Sequence, residues 1–303
     1  MDVVEIRDVT KTFDEFTAVD NLSLSVPKGS IYGFIGPNGS GKTTTMRMIM
    51  GIFYPDRGDI NVFGNNLHGA RSHRIGYLPE ERGLYRKMKV RDVLRFYGGL
   101  KAGHSVNREV DFWLEKLELT KWADAKVESL SKGMSQKVQF IGTVVARPEL
   151  VILDEPFSGL DPVNLDVIRQ AVLELKARET TVIFSTHDMN VAETMCDFIF
   201  MIHKGKKVLD GTLSSIQDSY GHDTIRVNCD GGPEIVANLP GVDRIRDFGQ
   251  MQELHITAGA DPQQIISTLM TRTRVQRFEI ARPSLHDIFV RIAKVEAEEV
   301  GHA

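Results

Sequence analysis

Residues 36–43 read GPNGSGKT, in which Gly36 and Gly41 bracket four residues ahead of Lys42 and Thr43. This is the spacing of a phosphate-binding loop. Glycines allow backbone N–H groups to turn inward around an anion with no Cβ in the way. Lys42 can reach β- and γ-phosphates, and Thr43 offers a hydroxyl to Mg²⁺. The nucleotide contacts expected here are Gly36, Asn38, Gly39, Ser40, Gly41, Lys42, Thr43 and Thr44. Far along the chain, the apolar run LVILDEP (150–156) ends in two carboxylates. A buried parallel strand would carry Asp154 and Glu155 to the C-terminal edge of a sheet, where Asp154 would hold the metal and Glu155 would polarise an attacking water.

The elements around these residues fit that chemistry. IYGFI (31–35) is the strand the loop should leave, and TTTMRMIMG (43–51) is the helix it should enter. A second apolar strand, TVIF (181–184), runs into STHD (185–188). LSKGMSQK (130–137) precedes the LVILDEP strand by about one helix, and SGLD (158–161) follows it at once.

In this order the motifs of residues 3–215 resemble those of the ATP-binding subunits of ABC transporters. The resemblance implies an α/β phosphate-loop ATPase core with an antiparallel β part and a helical subdomain at about 84–147. It implies ATP and Mg²⁺ as cofactors and a head-to-tail homodimer, or a heterodimer with a related ATPase subunit. It also implies a separate transmembrane permease, at the cytoplasmic face of the inner membrane. In the family, Ser131 and Gly133 match the signature residues that contact the γ-phosphate of ATP held by the other subunit. Ser158 to Asp161 match the D-loop, with Asp161 at its end, and His187 matches the switch histidine. Lys132 and Met134 depart from the commonest signature but remove neither the serine hydroxyl nor the Gly133 backbone donor. The aromatic that stacks on adenine matches Phe13, with Phe16 as the fallback. After RIGYLP (74–79), where the family usually has a Gln at the metal, this chain has Glu80. A carboxylate can also ligate Mg²⁺.

With 303 residues and 42% hydrophobic content, the chain can bury about two cores. A net charge of −4 gives no general attraction to nucleic acid, and no nucleic-acid partner is expected. The densest basic cluster, RKMKVR (86–91), reads as a solvated face. Two cysteines, Cys196 and Cys229, form neither metal spacing nor a disulfide framework, as in a reducing compartment. The longest apolar runs, such as FIFMI (198–202), fall far short of the roughly 20 residues of a membrane helix. Met46, Met48 and Met50 read as core filling.

A boundary is expected near 214–221, after a FIFMIH/KKVLDG hairpin turning at Lys-Gly. Residues 222–303 then read as strand, helix, two strands, helix and strand, a small ferredoxin-like α+β accessory domain. They end in an amphipathic helix over 284–299, with a frayed tail. This extension resembles accessory domains of bacterial export ATPases, which implies export. The rival reading, a soluble ABC-type ATPase of translation or DNA repair, would call for two cassettes or a long coiled coil with a CxxC hook, and this chain has neither.

Overall fold

The computed structural model describes residues 2–66, 73–80, 83–220, 224–231, 233–257 and 259–292. The chain divides into two compact units, Met1–Leu213 and Ser214–Ala303.

In the first unit, burial decides which strands are central. β3 (Ile31–Ile35), β7 (Leu150–Leu153) and β8 (Thr181–Thr186) are buried at every residue, as strands covered on both faces must be. They lie inside a six-stranded sheet in which β3 separates β8 from β9 (Phe198–His203), β7 follows β8, β6 (Ile75–Leu78) forms one edge and β10 (Lys206–Gly211) the other. All neighbours are parallel except the β9/β10 hairpin. That hairpin turns at Lys204 and Gly205, both at positive φ, as a tight two-residue turn requires. β1 (Asp2–Phe13), β2 (Phe16–Pro27), β4 (Arg57–Val62) and β5 (Asn65–Asn66) form a separate antiparallel sheet, in the order β2-β1-β4-β5.

Helix α1 (Lys42–Ile49) follows β3, with Met46 and Met48 buried in the core between the two sheets as expected. The helical part contains α2 (Val90–Ala102), α3 (Asn107–Lys116) and α4 (Lys132–Val144). Val90, Val93 and Leu94 of α2 and Val138 and Ile141 of α4 are fully buried, and Trp113 meets Phe140 edge-on at 6.0 Å. Arg86, Lys87 and Lys89 are exposed, as the solvated-face reading requires. Two further helices, α5 (Pro162–Ala177) and α6 (Met189–Met195), follow β7 and β8.

In the second unit α7 (Leu213–Ser219) leads into β11 (Thr224–Cys229), α8 (Pro233–Val236), β12 (Val242–Asp247), β13 (Gln252–Ile256), α9 (Pro262–Arg272) and β14 (Val275–Ala281). The antiparallel sheet order β12-β13-β11-β14 is the split arrangement of a ferredoxin-like unit. α8 is shorter than its sequence pattern, because Asn238 adopts φ 55° and Pro240 follows. Ile225, Val227 and Leu254 pack on Ile265 and Leu269 of α9. A last helix covers 285–292. Ser284 and Asp287 cap it reciprocally: the Asp287 N–H donates to Ser284 Oγ at 3.1 Å, and the Ser284 N–H to Asp287 Oδ2 at 3.4 Å. Its expected continuation to 299 and the tail lie outside the described residues. Among the described residues no helix is long and apolar enough to cross a membrane.

Candidate functional site

The loop between β3 and α1 is tight enough to dictate its glycines. A Cβ on Gly36, at φ 154°, would lie 2.2 Å from the Ile202 carbonyl oxygen, and one on Gly41, at φ 108°, 2.5 Å from that of Ala18. Lys42 is 5% exposed, and its ammonium donates to the Gly36 carbonyl at 2.7 Å and the Pro37 carbonyl at 3.0 Å. Burial pushes its pKa below the ordinary lysine value, against the opposing pull of Glu155, Asp154 and Glu80. The cation is therefore held inside the loop by the same carbonyls a phosphate would displace.

β7 and β8 pair with Leu153 beside Phe184, so Asp154 and Ser185 emerge next to each other. Ser185 Oγ donates to Asp154 Oδ1 at 2.7 Å and accepts the Glu155 N–H at 2.8 Å. Asp154 is fully buried, and its Oδ2 has no hydrogen-bond partner among the described residues. Thr43 donates its hydroxyl to Asp154 Oδ1 at 3.3 Å. An acid oxygen without a partner beside a threonine hydroxyl is an all-oxygen donor set that suits a hard divalent cation. Glu155 is 7% exposed and adopts φ 47°, a left-handed conformation that turns the chain sharply at the sheet edge. His187, past the end of β8, places Nδ1 at 3.1 Å from Glu155 Oε2 and 3.2 Å from Oε1.

Beside these groups lies a cavity of about 380 Å³ lined by Phe16, Ala18, Asn38 to Thr44, Glu80 and Glu155. Glu80 thus borders the phosphate loop, as the sequence suggests. The Ser40 hydroxyl is buried there without a partner. Phe16, 62% exposed, is the aromatic on the cavity wall. Phe13 meets Phe53 edge-on at 5.3 Å, with the Lys11 ammonium 5.3 Å from its ring centre.

Ser131, Gly133 and Asp161 do not line this cavity. Ser131 caps α4, accepting the Met134 N–H at 3.2 Å, so its hydroxyl proton still points to another acceptor. A Cβ on Gly133 would press on the Asn164 amide at 2.9 Å. Asp161 caps α5, accepting the Val163 and Asn164 N–H groups at 3.1 and 3.0 Å, a structural task the Asp-Pro pair makes readable. Gln136 Nε2 donates to the Ser158 carbonyl at 3.1 Å, which ties the signature helix to the loop after Glu155. Sequence reasoning missed Ser185. The signal was a small polar residue ending an otherwise apolar strand, and only strand register brings it to Asp154.

A second cavity, of about 240 Å³, opens between the end of β6, α2 and α4.

Residues 19–158 match the ABC transporter family. Residues 211–293 match the family described as ATP-binding protein DrrA1-3-like, C-terminal domain. The chain is 41% identical over 290 residues to an uncharacterized ABC transporter ATP-binding protein of Bacillus subtilis, covering 95% of this chain and 97% of that protein. It is 32% identical to Nod factor export ATP-binding protein I of Ralstonia nicotianae, covering 98% of this chain and 95% of that one. Among solved structures, an ATP-binding subunit of an ABC transporter superposes with a TM-score of 0.67 at 30% identity, over 72% of this chain and 93% of that chain. An ATP-binding cassette of an ABC transporter in its ADP conformation gives 0.64 at 25% identity, over 71% and 92%. Covered nearly end to end by a relative at this identity, the chain belongs to the ATP-binding subunits of ABC transporters.

Proposed function

We propose that the chain hydrolyses ATP in a head-to-tail dimer, with itself or a related subunit, and that this cycle drives export through a separate permease at the cytoplasmic face of the cell membrane. The observation that carries the reading is the division of labour in the fold. Residues 38–44 of the phosphate loop, Glu80 and Glu155 line the cavity, with Asp154 hydrogen-bonded to Thr43 beside them, while Ser131, Gly133 and Asp161 are not among the lining residues. A second copy, turned end for end, would supply them.

Within such a site the phosphate loop and Lys42 hold the β- and γ-phosphates, and Phe13, with Phe16 nearer the cavity, offers the adenine a ring face. Thr43 and Asp154, with Glu80 alongside, are the residues that would hold Mg²⁺, which neutralises phosphate charge when bound. Glu155 accepts the proton of the attacking water, and His187 orients the Glu155 carboxylate. Ser131 donates its hydroxyl to the γ-phosphate from across the interface. Binding ATP closes the dimer, because the nucleotide touches both chains only in the closed state, and hydrolysis releases it. Export as the direction rests on the Nod factor export relatives and on the matched C-terminal family. The division proposed for the chain is a nucleotide-binding domain over 1–215 and an accessory domain over 222–303.

A mixing experiment tests the shared site. Lys42→Ala and Ser131→Arg chains should each be inactive, since each spoils both sites of its own dimer. Mixed, they form one intact site, so about half of wild-type ATPase should return per mixed dimer, and about a quarter over a random one-to-one mixture, if the sites act independently. No recovery in a mixture shown to contain mixed dimers would overturn the arrangement.

A further inference from the structure

A larger cavity, of about 670 Å³, opens at the other end of the central strands and shares no residue with the phosphate-loop cavity. Glu149 and Thr180 line it immediately ahead of β7 and β8, whereas Asp154 and His187 follow those same strands. Its volume lies in the range of small-molecule sites, about 300–1,000 Å³. One buried acid organises its charge. Glu109, 8% exposed, accepts from Nη2 of Arg147 and, at 3.1 Å, from Nη1 of Arg178. A guanidinium has five N–H donors. Among the described residues Arg147 commits no other nitrogen, and Arg178 commits only Nε besides, to Glu174 at 2.9 Å. Glu109 therefore holds two forks in place with donors to spare. The Arg178 guanidinium carbon also lies 3.9 Å from the Phe112 ring centre, which steadies that fork on an apolar face. With Glu149 engaged by two nitrogens of Arg74, the wall sets Lys28, Arg147 and Arg178 against Glu109 and Glu179. Trp113 lines the same cavity. It is 1% exposed, and its Nε1–H has no acceptor among the described residues, a costly state for a buried donor unless something completes it.

We propose that this cavity binds a small organic anion. Its carboxylate or phosphate head takes the free donors of Arg147 and Arg178, its apolar body lies against Phe112, Val144 and Leu175, and one of its acceptor atoms receives the Trp113 N–H. The site stands whether or not the chain drives export. Val144 ends α4 and Leu175 lies in the last turn of α5, the helices that begin at Ser131 and Asp161. A molecule held here therefore touches the far ends of the two helices that carry the signature and D-loop residues.

The test follows the indole N–H resonance of Trp113 in the full chain, isotope-labelled in nitrogen. Trp122→Phe, a change at an exposed ring, leaves Trp113 as the remaining tryptophan and identifies its signal. The phosphate loop is first filled with ADP and Mg²⁺, so that it cannot take the probes. Phenylacetate, phenyl phosphate and the neutral phenylacetamide are then titrated in turn. At least one of the anions should move the Trp113 signal saturably with a Kd of about 1 mM or tighter, and phenylacetamide should bind about tenfold more weakly or worse. A stronger response to phenylacetate identifies the natural ligand as a carboxylate, and a stronger response to phenyl phosphate identifies it as a phosphate ester. Arg147→Gln, at an exposed side chain, should weaken the better anion about tenfold, and ADP affinity of this variant reports folding. No saturable shift from either anion at ten times the expected Kd overturns the proposal, and so does an equal response to the neutral amide. An unchanged Kd in a folded Arg147→Gln chain places the anion elsewhere and overturns it too.

Discussion

Asp154 and Glu253 are both buried carboxylates at strands, one in each unit of the chain, and they are satisfied in opposite ways. Glu253 on β13 is flanked by cations from its two neighbouring strands: Arg226 lies 3.2 Å from Oε2 and Arg246 3.7 Å from Oε1. Arg246 also pairs with Asp287 of the last helix at 3.1 Å. Asp154, by contrast, has one oxygen bound by Ser185 and Thr43 and the other without a partner among the described residues. A buried charge that is fully paired fastens elements together, whereas one left half-paired is costly unless something else completes it. The difference sets an acid that fastens strands together apart from the one proposed to hold Mg²⁺.

The contrast can be broken most severely at the neighbouring acid. Glu155→Gln should lower turnover by about 10²–10⁴ while ATP still binds, since a general base contributes about that much. Removing a negative charge beside the γ-phosphate should also let an ATP-bound dimer persist on size exclusion. Turnover at the wild-type rate would remove Glu155 from the chemistry.

At Glu253 the expected loss is of a different kind. Glu253→Ala leaves Arg226 without its carboxylate and Arg246 with Asp287 alone, and should destabilise the C-terminal unit by about 1.5–3 kcal/mol, the usual worth of hydrogen bonds to charged groups. ATP affinity of the core should not change. Denaturant unfolding monitored in each unit separates the two effects, and an unaltered C-terminal midpoint would show that the pairs contribute nothing.

Ser185→Ala should fall between these in rate and also lower the stability of the first unit. It frees Asp154 to rotate and loses two hydrogen bonds of about 0.5–1.5 kcal/mol each. We expect about tenfold lower kcat and a raised Mg²⁺ requirement, with Ser185→Thr partly restoring both. A drop in kcat without any shift in the Mg²⁺ titration would argue that Ser185 serves only the Glu155 backbone.

The smallest effect is expected at Glu80. If its carboxylate reaches the metal, Glu80→Gln should raise the Mg²⁺ concentration for half-maximal ATPase severalfold, in line with one water-screened charge pair of about 1 kcal/mol. Superimposable titration curves would place Glu80 outside the metal site.

The phosphate loop and the paired acids were legible in the sequence because their chemistry depends on residues adjacent in the chain. The glycines at 36 and 41 and the Asp-Glu pair after LVIL need no knowledge of distant packing. The ferredoxin-like order was legible for a similar reason, since alternation and turn residues mark each strand and the Gly249 hairpin. What depends on register was not. Ser185 acts on Asp154 from 31 residues away, and a shift of one residue between β7 and β8 would turn it to the other face. Lys101 reads as one more cation on an amphipathic helix until β6 is placed beneath it. The Phe13 and Phe16 pair was named from position along β1 and β2, but which ring borders the cavity depends on how Phe53 fills the space behind Phe13. Asp161 shows the reverse, a residue read as the end of the D-loop whose local geometry also fits a helix cap.

The left-handed backbone at Glu155 bears on how such a chain changes over generations. A non-glycine residue at φ 47° carries a conformational cost of about 1–2 kcal/mol. Glycine at this position would relieve it and would also remove a nearly buried charge, so the inert protein would fold more securely than the active one. Drift toward stability and drift away from hydrolysis thus run in the same direction here. On the role proposed for Glu155, selection on turnover is what holds the carboxylate in place. Where one subunit of a pair is released from that selection, this is the position at which an inactive, sturdier partner should first arise.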